Sequence, residues 1–343
     1  MIQGDTPGSP LLKAIYAKVL QAGGHPMLRP TLPGTQELFF RYASDEQLQF
    51  VPEPLKLTAD TYDVFIRIGA AENTKSLSSV DPAKTVMASQ AQREIGMTVM
   101  QRAAAGELRW VVALFPTNAY AQEAEMSLSE YEDFVYNSCM PDADDPVGYW
   151  QRFSAWQQKI VDWLAGKERV RVTAPETDLR LSIAGRNFVN CDGKRNMPDG
   201  EVFTGPVEDS VQGHVRFTYP VLYGGREVSN VRLWFEDGKV VKAAADKNED
   251  FLRQTLDTDE GARYVGEFAI GTNKGITRFT RQMLFDEKIN GSFHMALGRG
   301  YPETGSKNMS AIHWDMLCDM RDGGEIWVDD ELLYKDGKFV IEF

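Results

Sequence analysis

The sequence predicts an α/β N-terminal domain with a largely parallel sheet, followed by a strand-rich α+β C-terminal domain. Three observations carry this. Short apolar runs at 64–68 and 110–115 are bounded by turn residues, as buried parallel strands are. A helical segment lies between them, which is the alternation of an α/β layer. After Gly166 the pattern changes to polar–apolar alternation with hairpin turns. At 343 residues the chain is long for one core, so the expected domains are 1–166 and 167–343.

Taken in order, Ser9 followed by Pro10 signals an N-cap and a first helical turn. Leu11, Leu12, Ile15, Tyr16, Val19 and Leu20 then form a helical stripe that Gly23 and Gly24 end. Residues 91–105 suit a helix between the two apolar strands. Residues 127–139 and 147–164 also suit helices, the second starting after Asp144-Asp145-Pro146 and stopping at Gly166. The aromatic residues of that helix, among them Trp150, Phe153 and Trp156, either pack against neighbouring elements or wall a substrate cavity. Beyond Gly166, residues 169–173, 179–183 and 214–218 alternate as strands. Residues 231–235 and 240–243 flank Asp237-Gly238, a hairpin signal. A helix is expected near 249–256, and 325–328, 332–334 and 339–341 form a terminal strand and hairpin turning at Asp336-Gly337.

The net charge of −13 provides no basic footprint, so a nucleic-acid partner is not expected. It favours cationic or amino-bearing ligands. Cys139, Cys191 and Cys318 are odd in number and lack paired spacing, which suits structural thiols in a reducing compartment. There is no basic-then-apolar leader at Met1 and no apolar run long enough to span a bilayer. A cytoplasmic protein without a membrane partner is therefore expected.

Candidate chemistry concentrates in the last third. Of the four histidines in the chain, His294 and His313 fall there. With Glu201, Glu267 and Asp315 they make five imidazole and carboxylate groups, the ligands that divalent zinc, cobalt or manganese accept. Five are enough for two ions sharing a carboxylate, an arrangement that hydrolyses amides. Each residue alone also has a plainer reading. His313 and Asp315, two apart on a strand, point to one face and suit an exposed pair over a buried Trp314. His294 after Phe293 suits a satisfied core histidine. Glu201, after Pro198-Asp199-Gly200, suits a solvated carboxylate at a turn. Glu267 stands out, because it lies among Val265, Phe268, Ala269 and Ile270, and a lone buried charge costs several kcal/mol. Between the two histidines runs Gly298-Arg-Gly-Tyr301-Pro-Glu-Thr-Gly305, a glycine-bounded loop able to bring Tyr301, Arg299 or Glu303 over the site. No phosphate loop, zinc-protease helix, cysteine knuckle or serine elbow is present in the sequence.

These segments together resemble the thermophilic aminopeptidase family, also called the aminopeptidase T family of metallopeptidases. The similarity is strongest between Asn196 and Asp315. It is carried by Asn196-Met-Pro-Asp-Gly-Glu-Val-Phe-Thr-Gly-Pro206, Gly266-Glu-Phe-Ala-Ile-Gly-Thr-Asn273, Leu284-Phe-Asp-Glu-Lys288, the Gly298 to Gly305 loop and Ile312-His-Trp-Asp315. The resemblance implies that Glu201, Glu267, His294, His313 and Asp315 are metal ligands, so that the second domain is the metal-binding one. It implies that Tyr301 is the catalytic tyrosine. It further implies a homodimer, two divalent ions per chain (zinc or cobalt, with manganese or magnesium also accepted), and peptide substrates with a free N-terminus. Members usually begin with a helix and a strand ahead of the segment matching Met1, which implies a missing edge element or a truncated start here.

The mechanism expected on this basis is hydrolysis by a two-metal-activated water, with Glu267 bridging. Tyr301 donates to the oxyanion, and Glu201 or Glu267 moves the proton to the leaving amine. The alternative is a mononuclear non-haem iron, ring-cleaving dioxygenase built on His294, His313 and Asp315, since hydroxypyridine dioxygenases resemble this family. Glu201 and Glu267 have no purpose in that site.

Overall fold

The computed structural model describes residues 1–223 and 226–343. The chain divides into two compact units, Met1–Glu132 with Lys194–Met197, and Asp133–Gly193 with Pro198–Phe343.

Among the described residues, the first unit carries a five-stranded parallel sheet in the order Leu28–Thr31, Ile2–Asp5, Val64–Gly69, Arg109–Leu114, Asn196–Met197. The two apolar runs seen in the sequence are neighbours in it, with Val64 opposite Arg109 and Gly69 opposite Leu114. Ile2, Ile68 and Leu12 form a small core with the helix Ser9–Gln21. Ser9 begins that helix but does not cap it: the cap position is Gly8, and the Ser9 hydroxyl donates to the carbonyl of Thr6 in the preceding 3-10 turn. The helix expected at 91–105 is Arg93–Ala104, and a further helix, Pro82–Ala91, precedes it. That helix is started by Asp81, whose carboxylate accepts from the Ala83 amide at 2.9 Å, ahead of Pro82 in the first turn.

The second unit contains the helix Pro146–Leu164, capped by Asp145, which accepts from the Gly148 amide at 3.0 Å. Its Ile160 and Leu164 enter the strand-rich core. This helix therefore groups with the second unit, whereas the change of pattern in the sequence falls after it at Gly166. Its aromatic residues stack on each other, as Tyr149 does on Phe153, and Trp156 packs edge-on against Phe339. That is the packing alternative for this stripe.

Two antiparallel sheets face that core. The larger runs in the order Lys239–Ala244, Arg232–Glu236, Gln212–Arg216, Thr177–Ser182, Arg169–Ala174, Glu325–Val328, Glu331–Lys335, Lys338–Phe339. Its hairpins turn at Asp237 and Gly238, with φ of 47° and 78°, and at Asp336 and Gly337, with φ of 48° and 77°, the paired left-handed conformation of tight hairpins. The smaller sheet has the order His313–Asp319, Ser292–Gly298, Val265–Gly271, Glu201–Thr204, Val189–Cys191. Among the described residues no helix is long and apolar enough to cross a membrane.

Candidate metal centre

All five expected ligands lie on four adjacent strands of the smaller sheet, and strand periodicity sorts them onto one face. In register, Glu267, Ala296 and Asp315 form one cross-strand row. Phe203, Ala269, His294 and Leu317 form the next, while Glu201 pairs with Gly271 and His313 with Gly298. The alternate residues, including Phe268, Ile270, Phe293, Met295, Trp314 and Met316, belong to the hydrophobic core. Ala269, Ala296, Gly271 and Gly298 place small side chains between the ligands, which leaves a cradle rather than a packed surface.

One irregularity makes this sorting possible. Val265 and Glu267 are two apart and would share a face in a regular strand, yet Val265 is in the core and Glu267 is in the cradle. The register shifts between them, and the bulge re-aims the carboxylate. Gly266 sits at the bulge, where an added Cβ would lie 2.3 Å from the Gly298 carbonyl oxygen, so a side chain is excluded there.

The ligand atoms converge. Glu201, Glu267 and His294 each offer one within 4.8 Å of the others, and so do Glu267, His313 and Asp315. Glu267 is common to both groups. His294 Nε2 is 3.3 Å from Glu267 Oε1 and 3.4 Å from Glu201 Oε2, and His313 Nε2 is 3.5 Å from Glu267 Oε2 and 3.3 Å from Asp315 Oδ1. The Nδ1–H of His313 donates to the Arg299 carbonyl at 2.7 Å, which leaves Nε2 facing the carboxylates. Among the described residues, His294, His313 and Asp315 do not by themselves fall within one such group.

Charge is concentrated and buried here. Burial pushes the Glu201 carboxyl up to about 8, against the opposing pull of Lys288 and His294. Glu267 is raised as well, first by burial, although His294 and His313 oppose it. Burial resists protonation of the imidazoles, but the carboxylates outweigh it. His294 is raised to about 9 by Glu267 and Glu201, and His313 to about 10 by Asp315 and Glu267. Burial would raise Asp315 too, yet His313 brings it down to about 2.

Tyr301 follows the end of the Ser292–Gly298 strand and precedes the 3-10 turn Pro302–Thr304. Its ring packs edge-on at 5.3 Å against both His313 and Phe203, and it keeps 37% exposure. Burial and the nearby carboxylates of Glu267 and Asp315 push its phenol well above the ordinary tyrosine value, so the hydroxyl stays a hydrogen-bond donor. Its loop is pinned by Arg186, which donates to the Gly305 carbonyl and pairs with Glu208 at 2.5 Å. Glu208 in turn accepts from the Lys307 amide at 2.6 Å. At the other loop candidates, the Glu303 carbonyl accepts from Asn187 Nδ2 at 3.3 Å, and the Arg299 carbonyl accepts from His313 Nδ1–H.

The structure adds residues that sequence reasoning did not single out. Lys288 is fully buried with its ammonium against Glu287 and 3.9 Å from Glu201 Oε1. Asp199 accepts from the Gly193 and Gly200 amides at 3.0 and 3.1 Å and so shapes the turn into Glu201. Gln157 ties the Pro146–Leu164 helix to the sheet. It donates to Asn190 Oδ1 at 2.7 Å and to the Cys191 carbonyl at 2.9 Å, and accepts from Thr272 at 2.5 Å. A buried lysine inside the Leu284-Phe-Asp-Glu-Lys288 motif was the one available signal.

The family model for thermophilic metalloproteases (M29) matches residues 1–339 of this chain. The chain belongs to the M29 thermophilic metalloprotease family. As an M29 member it is a metal-dependent peptidase. Aminopeptidase 2 of Geobacillus stearothermophilus is 28% identical over 338 residues, covering 87% of this chain and 80% of that protein. Aminopeptidase T of Thermus thermophilus is 27% identical over 303 residues, covering 78% and 72%. The solved structure of wild-type AmpT from Thermus thermophilus superposes with a TM-score of 0.84 at 22% identity, over 99% of this chain and 94% of that one. This shows the shared fold, an α/β region followed by a strand-rich one. A 2,5-dihydroxypyridine dioxygenase from Pseudomonas putida KT2440 superposes with a TM-score of only 0.51 at 14% identity, over 88% of this chain and 99% of that one.

The residues present fit the divalent ion that M29 membership implies. Three carboxylates and two imidazoles converge in a buried cradle. Glu201 Oε2 and His294 Nδ1 are buried without a hydrogen-bond partner among the described residues. Without a metal the carboxylates are offset by the raised imidazoles of His294 and His313 and by the buried Lys288 ammonium, and a bound metal would displace protons from the imidazoles.

Proposed function

We propose that this M29 chain is an aminopeptidase that hydrolyses the N-terminal peptide bond of peptides, using two divalent ions per chain. The observation that carries the reading is the pair of ligand groups sharing Glu267, with Tyr301 against His313. Glu201 and His294 would hold one ion, His313 and Asp315 the other, and Glu267 both. Carboxylate and imidazole donors suit zinc or cobalt, with manganese or magnesium also acceptable. When bound, the ions supply Lewis acidity, making a water nucleophilic near neutral pH and polarising the scissile carbonyl.

The chain's own residues do the rest. Tyr301, whose ring packs against His313, donates its phenol proton in a hydrogen bond to the carbonyl oxygen as that oxygen gains charge. Whichever of Glu201 and Glu267 is only weakly engaged by an ion would carry the proton from the attacking water to the leaving amine. The iron dioxygenase alternative is disfavoured, because His294 groups with Glu201 and Glu267 rather than with His313 and Asp315.

The family resemblance supports a homodimer. So do exposed apolar side chains on the first unit, such as Tyr42 at 71% and Phe50 at 70%, which a partner surface would cover. The free thiols of Cys139, Cys191 and Cys318 support a reducing, cytoplasmic setting.

The test pairs elemental analysis of the purified protein with release of nitroaniline from leucine p-nitroanilide. About two ions per chain and chelator-sensitive release are expected. One iron without release would overturn the reading.

A further inference from the structure

The five ligands project from strands, but Tyr301 stands in a loop, so its placement depends on what holds that loop. The Tyr301 carbonyl accepts from the Thr304 amide at 3.0 Å and from the Thr304 hydroxyl at 2.7 Å. Gly305 closes the turn with φ of 88°, and its amide donates to the Pro302 carbonyl at 3.0 Å. Its left-handed conformation is one that glycine adopts without a steric cost. Residues 301–305 therefore form one tight turn, and whatever fixes Gly305 also fixes the backbone from which the Tyr301 ring projects.

Arg186 and Glu208 grip that turn from outside. The Arg186 guanidinium donates to the Gly305 carbonyl and, at 2.5 Å, to Glu208 Oε2. Glu208 Oε1 accepts from the Lys307 amide at 2.6 Å and from the Ser306 hydroxyl at 3.4 Å. The chain is thus held on both sides of Ser306, and the Asn187 amide adds a bond to the Thr304 carbonyl at 3.0 Å. Both members of the pair are anchored at the end of the Thr177–Ser182 strand. The Arg186 amide donates to the Ile183 carbonyl at 3.0 Å, and the Val207 amide, next to Glu208, donates to the Ser182 carbonyl at 2.8 Å. The Arg186 side chain is only 7% exposed, unlike the solvated ion pairs that contribute little. A planar guanidinium serves a carbonyl and a carboxylate at once in fixed directions, which a lysine ammonium does not.

We propose that Arg186, locked by Glu208, is a positioning residue for the reaction: through Gly305 it holds the Tyr301 phenol where the oxyanion forms. This rests on the reading of Tyr301 as the oxyanion donor. The edge contacts of its ring with His313 and Phe203 limit its tilt, but the backbone sets how far the hydroxyl reaches. An oxyanion donor acts only within about 2.7–3.1 Å of the oxygen it stabilises, and a misplacement of about 1 Å costs on the order of 100-fold. Arg186 itself touches neither the five ligands nor Tyr301 through any bond described above, so its effect passes through the turn.

The experiment is a double-mutant cycle on the metal-loaded full-length protein, reading kcat and KM on leucine p-nitroanilide together with metal content. Arg186→Ala should lower kcat by about 10–100-fold and leave KM and metal content within about twofold, the pattern of a contact made only in the transition state. In the Tyr301→Phe background, where no phenol remains to be placed, Arg186→Ala should cost less than about threefold. Arg186→Lys should recover only part of the lost kcat. An arginine that merely stabilised the fold would lower activity by the same factor in both backgrounds. That equal factor, a loss that follows metal content, or normal turnover in Arg186→Ala would each overturn the inference. If Arg186→Ala does not fold, Glu208→Gln in the same two backgrounds decides it, with a smaller loss expected beside Tyr301 and none beside Tyr301→Phe. Normal turnover in Tyr301→Phe would overturn the reading of the phenol, and the inference with it. A slow Tyr301→Phe beside an unimpaired Arg186→Ala would overturn the inference alone.

Discussion

On one face of the smaller sheet Phe268, Phe293, Met295, Trp314 and Met316 interlock in the core. On the other, the same strands present Glu201, Glu267, His294, His313 and Asp315 around Ala296 and Ala269. The first face stabilises the fold, by roughly 1.5–3 kcal/mol for each large apolar side chain fully buried. The second opposes it, because each buried charge costs several kcal/mol unless compensated. The difference teaches how an acidic cluster is kept in place: a rigid apolar face fixes the backbone from which the ligands project, so the cradle need not be stable by itself.

The largest break in that comparison should come from Glu267→Gln, since both ligand groups lose a member. Metal affinity should fall by more than the roughly 100-fold that loss of an outer hydrogen-bond partner costs. The measurement is metal retained after dialysis, and retention of two ions would remove Glu267 from the shared position. Next is Tyr301→Phe, for which kcat should drop about 10²–10³-fold with metal content unchanged. Normal turnover would end the proposed role of the phenol.

A matched pair sharpens the contrast between the faces. Trp314→Ala on the core face should cost roughly 3–5 kcal/mol in unfolding free energy, while the folded protein still binds metal. Ala296→Leu on the cradle face should cost only about 1–3 kcal/mol yet prevent metal binding, because the new side chain fills the space between Glu267 and Asp315. Calorimetric unfolding and zinc titration of both variants would show whether the two faces are separable in this way.

The smallest effect is in pH. In the metal-free protein His294 and His313 are raised to about 9 and about 10, above an unfolded value of about 6.5. Their stabilisation is therefore fully present below pH ~6.5 and is lost as pH rises through about 9 to 10. Metal-free protein should melt lower at pH 10 than at pH 7, whereas metal-loaded protein, with those protons already displaced, should change less. Metal affinity should shift the other way and weaken as pH falls below about 9, because bound protons must leave. A metal-free melting temperature that rises between pH 7 and 10 would contradict this.

Much of the centre was legible because its residues break local expectation. Glu267 stood out as a charge in an apolar run, and it is both buried and shared. Asp237-Gly238 and Asp336-Gly337 announced their hairpins through conformations that favour those residues. Other features left weak traces. The strands Ile2–Asp5 and Leu28–Thr31 are short, and the second contains Pro30, so neither carries a clear period. The bulge at Gly266 reverses the alternation that the sequence implies between Val265 and Glu267. Gln157 looks like any polar helix residue, and its burial depends on partners at Asn190 and Thr272. The helix Pro146–Leu164 was assigned by pattern to the segment before Gly166, but the core it covers belongs to the strand-rich unit.

By itself the sequence determined the chemistry available: which carboxylates and imidazoles exist, which lie in apolar surroundings, and which loop carries Tyr301. Those properties follow from residue type and short-range period. Only the tertiary structure decided which candidate ligands lie together, that Glu267 belongs to both groups, and that a buried lysine stands beside one of them. The ligands come from four strands, and cross-strand register is set by how their opposite faces pack in the core. No local pattern contains that information.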